Sequence, residues 1–206
     1  ANRVLYADTG HGHIASIFPR RPPIPMESVM NLEIYLKVQG KTLRNRDDND
    51  QALVERMQSR KQATKFLAEN ATVLEGLIGQ FNRTFAPVND GSTQLVTLEL
   101  KNPPRGPWLK ALRKLEDQGV VTAGESIEQW TPVSSEAINY LSGGWLEEYA
   151  WFIARDCHVD DVALSLKFTD DYQANADIRN EIDVAILHRN RLMLIECKTG
   201  NVNRDG

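Results

Sequence analysis

Cysteine is scarce: Cys157 and Cys197 are the two in 206 residues, so no disulfide framework carries this fold. A reducing, cytosolic setting is the simplest reading of that scarcity. No window approaches a continuous membrane span, and the N-terminus lacks the basic-then-apolar pattern of a signal segment. There is no excess of positive charge either, with 24 Lys and Arg against 28 Asp and Glu, a net charge of -4 and a pI near 5.6. This argues against a stoichiometric nucleic-acid coat, but not against an enzyme that holds nucleic acid briefly in a local basic groove. His11 and His13 in GHGH have no cysteines or further histidines nearby and read as a solvated turn; His158 and His188 show no ligand spacing. Internal repeats and low-complexity tracts are absent. What is present is 41% hydrophobic and 25% charged, the composition of a globular protein with a real core, and the elements below give a mixed α/β (α+β) fold class.

RVLYADTG followed by HIASIF reads as two strands around a GHG turn, starting abruptly at residue 1. The far end stops a few polar residues after another hairpin. A two-stranded ribbon is not stable alone, so the chain is expected to be a fragment or to have both sheets completed by another segment. FPRRPPIPM (Phe18 to Met26) is proline-dense and reads as a linker. ESVMNLEIYLKVQG then suggests a helix ending near Gly40, and NRDDND a solvated break that offers Asp50 as an N-cap. A long helical region runs from about Gln51 to Phe81, with a break expected near Asn70. STQLVTLELKN reads as a strand, PWLKALRKLEDQGVV as a helix with Pro107 at its first position and Gly119 closing it, and IEQWTPV as a strand. SSEAINYLSGG reads as a helix ending at its paired glycines. A helix, a QGVV exit and a short strand together resemble the end of a winged helix-turn-helix. On that reading Lys110, Arg113 and Lys114 face nucleic acid; on the simpler one they are an ordinary solvated helix face.

The most informative stretch is NEIDVAILHRNRLMLIECKTG, Asn180 to Gly200. Side chains alternate faces along a strand, which places Ile182, Val184 and Ile186 on one face and Glu181, Asp183, Ala185 and Leu187 on the other. In the second strand Met193, Ile195 and Cys197 oppose Leu192, Leu194, Glu196 and Lys198. A two-residue turn at Arg189-Asn190, or a four-residue one from His188 to Arg191, pairs Leu187 with Leu192, Asp183 with Glu196 and Glu181 with Lys198. Directly opposed side chains have Cβ atoms about 4.5–5.5 Å apart, so the Asp183 and Glu196 carboxylates repel unless something offsets them. A divalent cation does this naturally, since Mg²⁺ and Mn²⁺ prefer hard oxygen ligands. Lys198 then stands where it can orient or deprotonate a water, or stabilise charge on a phosphate. The plain alternative is a structural ion pair between Glu181 and Lys198 at a solvated sheet end. Ser142 to Asp156 reads as a helix with an apolar side of Trp145, Leu146, Tyr149, Phe152 and Ile153. Glu147 and Glu148 lie on opposite borders of that stripe, and geometry does not choose which reaches the acids.

A helix glutamate, a strand aspartate and then E-x-K follow the order of the PD-(D/E)xK restriction-like nucleases. The strings GGWLEEY, NEIDV and IECKTG, preceded by the winged-helix-like segment, resemble a narrower group: CRISPR ancillary nucleases that couple an N-terminal CARF sensor domain to a C-terminal restriction-like domain. The resemblance implies a terminal CARF-like hairpin and linker over 1–25, a helical, winged-helix-like connector over 26–140, and an incomplete restriction-endonuclease-like nuclease domain over 141–206. It makes Asp183, Glu196, Glu147 and the Cys197 backbone carbonyl metal ligands, with Lys198 the catalytic lysine and Glu181 lining the site. It further implies Mn²⁺ or Mg²⁺ as cofactor, single-stranded or nicked DNA or RNA as substrate, homodimers, and activation by cyclic tetra-adenylate in antiviral defence. Most of the cyclic-nucleotide pocket would lie outside this chain. Two other functions fit the residues: a DNA repair or restriction-type nuclease sharing only the general fold, and a non-catalytic winged-helix DNA-binding regulator.

Overall fold

The structure is a computed structural model that describes residues 4–8, 13–25, 30–88, 95–170 and 180–199. His11, the Glu27-Ser28 start of the first expected helix, and residues 200–206 lie outside these. No helix among the described residues is long and apolar enough to cross a membrane. Strands β1 (Val4–Asp8) and β2 (His13–Phe18) pair antiparallel as expected. The proline-dense segment after them is not a linker, however. Arg21–Pro25 forms β3, which pairs with β2 at the edge of a sheet ordered β1-β2-β3. Proline has no N–H to give a ladder, so an edge is where a strand with three prolines can sit.

Helix α1 (Leu32–Val38) starts where the Asn31 side chain accepts from the Ile34 N–H at 2.8 Å, and Gly40, at φ 67°, turns the chain into β4 (Lys41–Asn45). The NRDDND segment is less solvated than expected, because Arg46 pairs with both Asp48 and Asp161 (2.7 and 3.0 Å). Asp50 caps α2 (Gln51–Glu69), the helix breaks at Asn70, and α3 (Ala71–Phe85) follows, all as the sequence indicates. Of the STQLVTLELKN stretch, whose first three residues lie outside the described ones, Leu98–Glu99 forms the short strand β5. After it come α4 (Pro107–Asp117), β6 (Val121–Ala123) and β7 (Gln129–Pro132), and the three strands form a small sheet ordered β5-β7-β6. One apolar cluster joins these pieces, centred on Leu74, Leu77, Phe81, Leu112, Trp130 and Tyr140.

Helix α5 (Ser135–Asn139) does not end at the paired glycines. It runs through a wide turn, Tyr140–Gly144, bends at Gly143 (φ 158°) and continues as α6 (Trp145–Asp156). The buried side of α6 is Trp145, Glu148, Trp151, Phe152 and Ala154, whereas Ile153 is 47% exposed. The buried side is thus rotated from the expected stripe toward Trp151, with Glu148 inside it rather than at its border. Strands β8 (Asp161–Asp170), β9 (Asn180–His188) and β10 (Arg191–Ile195) complete an antiparallel sheet ordered β10-β9-β8-β4. Thus α1 and β4, expected within the connector, join the C-terminal sheet. Helix α1 covers one face through Leu32 and Leu36, which meet Leu166, Phe168 and Leu187. Helices α2 and α6 cover the other, where Met57, Trp151 and Phe152 meet Leu164 and Val184.

The sheet does not keep strict alternation. Ala163 and Leu166, three apart on β8, both pack on the α1 side, and Ile182 and Val184, two apart on β9, pack on opposite sides. Both breaks fall at one place. The pairing passes from Leu164–Val184 to Leu166–Ile182 and omits Ser165 and Asp183, and Ser165 has φ 47°. A residue in left-handed backbone turns the following side chain to the other face. Left-handed backbone costs a non-glycine residue about 1 kcal/mol. Ser165→Gly is therefore expected to raise thermal stability slightly and Ser165→Val, with a β-branched side chain, to lower it, as read by thermal denaturation.

Candidate active site

The hairpin forms on the expected register. Arg189 and Asn190, at φ 50° and 60°, make a two-residue turn, and pairing runs from His188–Arg191 through Leu187–Leu192 to Val184–Ile195. There the ladder stops, one step short of Asp183 and Glu196. In its place the Asp183 carboxylate accepts from the Cys197 backbone N–H at 2.6 Å. The expected opposition of Glu181 and Lys198 does not form. Glu181 pairs with Lys167 on β8 at 3.5 Å, while Lys198 pairs with Glu196 two residues away on the same strand. The reason is β8 itself, which the sequence reading left unassigned and which lies on the other side of β9 with a lysine in register.

The two helix glutamates have separate tasks. Glu148 is 5% exposed, and its two oxygens accept from Arg60 Nε at 3.1 and 3.2 Å. The same guanidinium reaches Glu136 at 2.9 Å and lies over the Tyr140 ring at 4.5 Å, with the Tyr140 and Thr64 hydroxyls 3.0 Å apart beside it. Burial raises the Glu148 carboxyl even though Arg60 acts to lower it. One residue earlier, about 100° around the helix, Glu147 looks toward the sheet. Its carboxyl is pushed up to about 7, first by burial and then by the negative charge of Asp183, with smaller contributions from Glu181, Glu148 and Asp47. The Cys197 thiol is pushed up to about 11, by burial and then by Asp183, Glu147 and Glu196. The Lys198 ammonium is held above its ordinary value by the Glu196 bond.

Glu147, Asp183 and the Cys197–Lys198 strand end thus lie in one electrostatic neighbourhood, to which the structure adds Asp47 and Lys167. Asp47 sits in the stretch read as a solvated break, so no sequence pattern marked it. Among the described residues, no group of three or more His, Cys, Asp or Glu side chains is gathered closely enough to hold a metal ion. The donor set still suits a hard cation. Burial raises the Glu147 carboxyl first and the neighbouring carboxylates add to it, and a bound cation would relieve that added repulsion. The residues expected to face nucleic acid also make contacts within the protein. Lys110 and Lys114 lie 5.3 and 5.5 Å from the Phe66 ring centre, and Arg113 lies over Trp130 and pairs with Glu116.

Removing one member of the Arg60–Glu148 pair leaves a buried charge and should cost about 3–5 kcal/mol, whereas Arg60→Leu with Glu148→Leu together should cost clearly less than the sum of the single changes. Thermal denaturation of the three variants checks this. For Glu147, the folded protein between pH of about 4.5 and about 7 keeps a proton that the unfolded chain has released. Stability should therefore fall as pH rises across that window in metal-free protein, and Glu147→Gln should flatten the fall, as read by denaturant midpoints at a series of pH values.

Residues 134–206 match the protein family described as Card1-like, endonuclease domain. No curated protein matches the chain. Among solved structures, protein VC1899 from Vibrio cholerae superposes with a TM-score of 0.80 at 18% identity, over 98% of this chain and 53% of that one. Can2 from Sulfobacillus thermosulfidooxidans, solved in complex with cyclic tetra-adenylate, superposes with a TM-score of 0.65 at 18% identity, over 98% of this chain and 50% of that one. The chain therefore spans about half the length of each, and the likeness to both is one of fold. The segment that holds Glu147, Asp183, Glu196 and Lys198 is similar to a Card1-like endonuclease domain.

Proposed function

We propose that this chain carries the active site of a metal-dependent nuclease of the PD-(D/E)xK kind, working in CRISPR-associated antiviral defence. The observation that carries the proposal is Asp183 bonded to the Cys197 N–H within the E-x-K segment, with Glu147 in electrostatic reach of Asp183, in a segment that matches an endonuclease family. Asp183, Glu196, Glu147 and the Cys197 carbonyl would hold Mg²⁺ or Mn²⁺. Such an ion supplies Lewis acidity at a phosphoryl oxygen and acidity to an attacking water. Lys198 places its ammonium against the charge that builds on the phosphate as the water oxygen bonds to phosphorus and the ester oxygen departs with a proton. To reach that position it must leave Glu196, an exposed pair that holds it weakly. Asp183 has a second task, since its bond from Cys197 N fixes where the E-x-K strand leaves the ladder.

Single-stranded or nicked DNA or RNA is the proposed substrate. The longer protein is proposed to be a homodimer that responds to cyclic tetra-adenylate, a reading supported by the fold shared with Can2 in its cyclic tetra-adenylate complex. Titrating Mn²⁺ by thermal shift is expected to stabilise the wild type by about 2–3 kcal/mol near a hundredfold excess over Kd and to leave Glu196→Ala unmoved. Lys198→Ala should keep the metal shift yet lose at least about a hundredfold in cleavage of a single-stranded substrate. Identical metal curves for wild type and Glu196→Ala would remove the basis of this reading.

A further inference from the structure

We propose that Asn82 is a positioning residue for the strand segment that carries Glu196 and Lys198, an inference that rests on the nuclease reading. Asn82 lies on α3, far in sequence from the hairpin. Its Nδ2 donates to the Thr199 carbonyl at 3.0 Å, and its Oδ1 accepts from the Thr199 hydroxyl at 3.3 Å. The same hydroxyl lies 3.5 Å from the Ser142 carbonyl, in the wide turn that leads into α6. One residue after Lys198, the strand is therefore fastened to α3 and to the turn that aims Glu147.

The tie matters because the segment has little else. Ladder pairing with β9 ends at Ile195, and beyond it the backbone is held at Cys197 N by Asp183. Asn82 supplies a second point, so that Lys198 lies between two anchors. The chemistry also selects the residue. A carboxamide at this position offers a donor to the carbonyl and an acceptor to the hydroxyl at once; a carboxylate keeps the acceptor but turns a second oxygen against the Thr199 carbonyl. Helix α3 in turn belongs to the apolar cluster that unites α4 with the small sheet. The setting of Lys198 is in this way linked to the helical part of the molecule, and a displacement of α3 reaches the E-x-K segment directly.

The test combines amide hydrogen exchange of the peptide spanning residues 196–199 with single-turnover cleavage in Mn²⁺, for Asn82→Asp, Asn82→Ala, Thr199→Val and Thr199→Ser. Loss of the Nδ2 bond should quicken exchange there by about tenfold in Asn82→Asp and by at least as much in Asn82→Ala, which loses both bonds, less in Thr199→Val, and scarcely in Thr199→Ser, which keeps its hydroxyl. The maximal cleavage rate should fall by at least about tenfold in Asn82→Asp while KM for the nucleic acid stays put, because the tie does not touch substrate. Unchanged exchange in Asn82→Asp would overturn the proposal, as would quickened exchange with an unchanged maximal rate. A wild type that cleaves nothing in Mn²⁺ would sink the nuclease reading alone, and the exchange contrast between Asn82→Asp and Thr199→Ser would still decide whether Asn82 holds the segment.

Discussion

The Arg60–Glu148 ion pair decides which way α6 faces, and the candidate site follows from that. Two adjacent glutamates begin this helix, and either could point at the sheet. Burying Glu148 against a guanidinium, with Glu136 and the Tyr140 ring completing the cation's surroundings, fixes the rotation of the helix about its axis. Glu147 is then turned toward β9. A buried ion pair is a poor source of net stability, because desolvating two charges costs about as much as their attraction returns. Its value here is directional.

The second constraint is the shared break in alternation at Ser165 and Asp183. Strict pleating would put Glu181 and Asp183 on the α1 face with Ala185 and Leu187, away from Glu147. The break lets Ile182 seal the α1 side, and the acids instead lie within electrostatic reach of α6. Glu147, Asp183, Glu181 and Asp47 then share a region with Lys167, which lies close to both Glu181 and Asp47. The Glu147 carboxyl is pushed up to about 7, by burial first and by this negative charge second. Negative charge gathered at the border of a core is unfavourable for folding and favourable for binding a cation, a compromise typical of sites that do chemistry.

Sequence reading succeeded where the signal was local. The Asp50 cap, the break at Asn70, Pro107 at a helix start and the Arg189-Asn190 turn each depend on a few neighbouring residues, and all formed as expected. It failed where the cause was distant. Prolines are tolerable in β3 only because β3 is an edge, which no local pattern reveals. Strand β8 is buried along most of its length, so it lacks the alternation that would announce it. The partner of Glu181 was misassigned because Lys167 lies on that unread strand. The choice between Glu147 and Glu148 depended on Arg60, 88 residues away from the latter. Fold class and the turn and register of the hairpin were legible, and the partners of its charged side chains were not.

The way the E-x-K segment is held separates its structural from its reactive groups. Along residues 196–199 alternate positions face alternate ways. Cys197 and Thr199 make the part-buried contacts, through a backbone N–H to Asp183 and a hydroxyl and carbonyl to Asn82. Glu196 and Lys198 remain 58% and 61% exposed and are satisfied by each other. An exposed pair of this kind adds little to stability, so parting it costs little. The backbone is thereby fixed at Cys197 and Thr199, through Asp183 and Asn82, while the Glu196 and Lys198 side chains, which would meet a cation and a phosphate, stay available. Had Glu196 or Lys198 been used as an anchor, each approach of substrate would have loosened the strand that presents it.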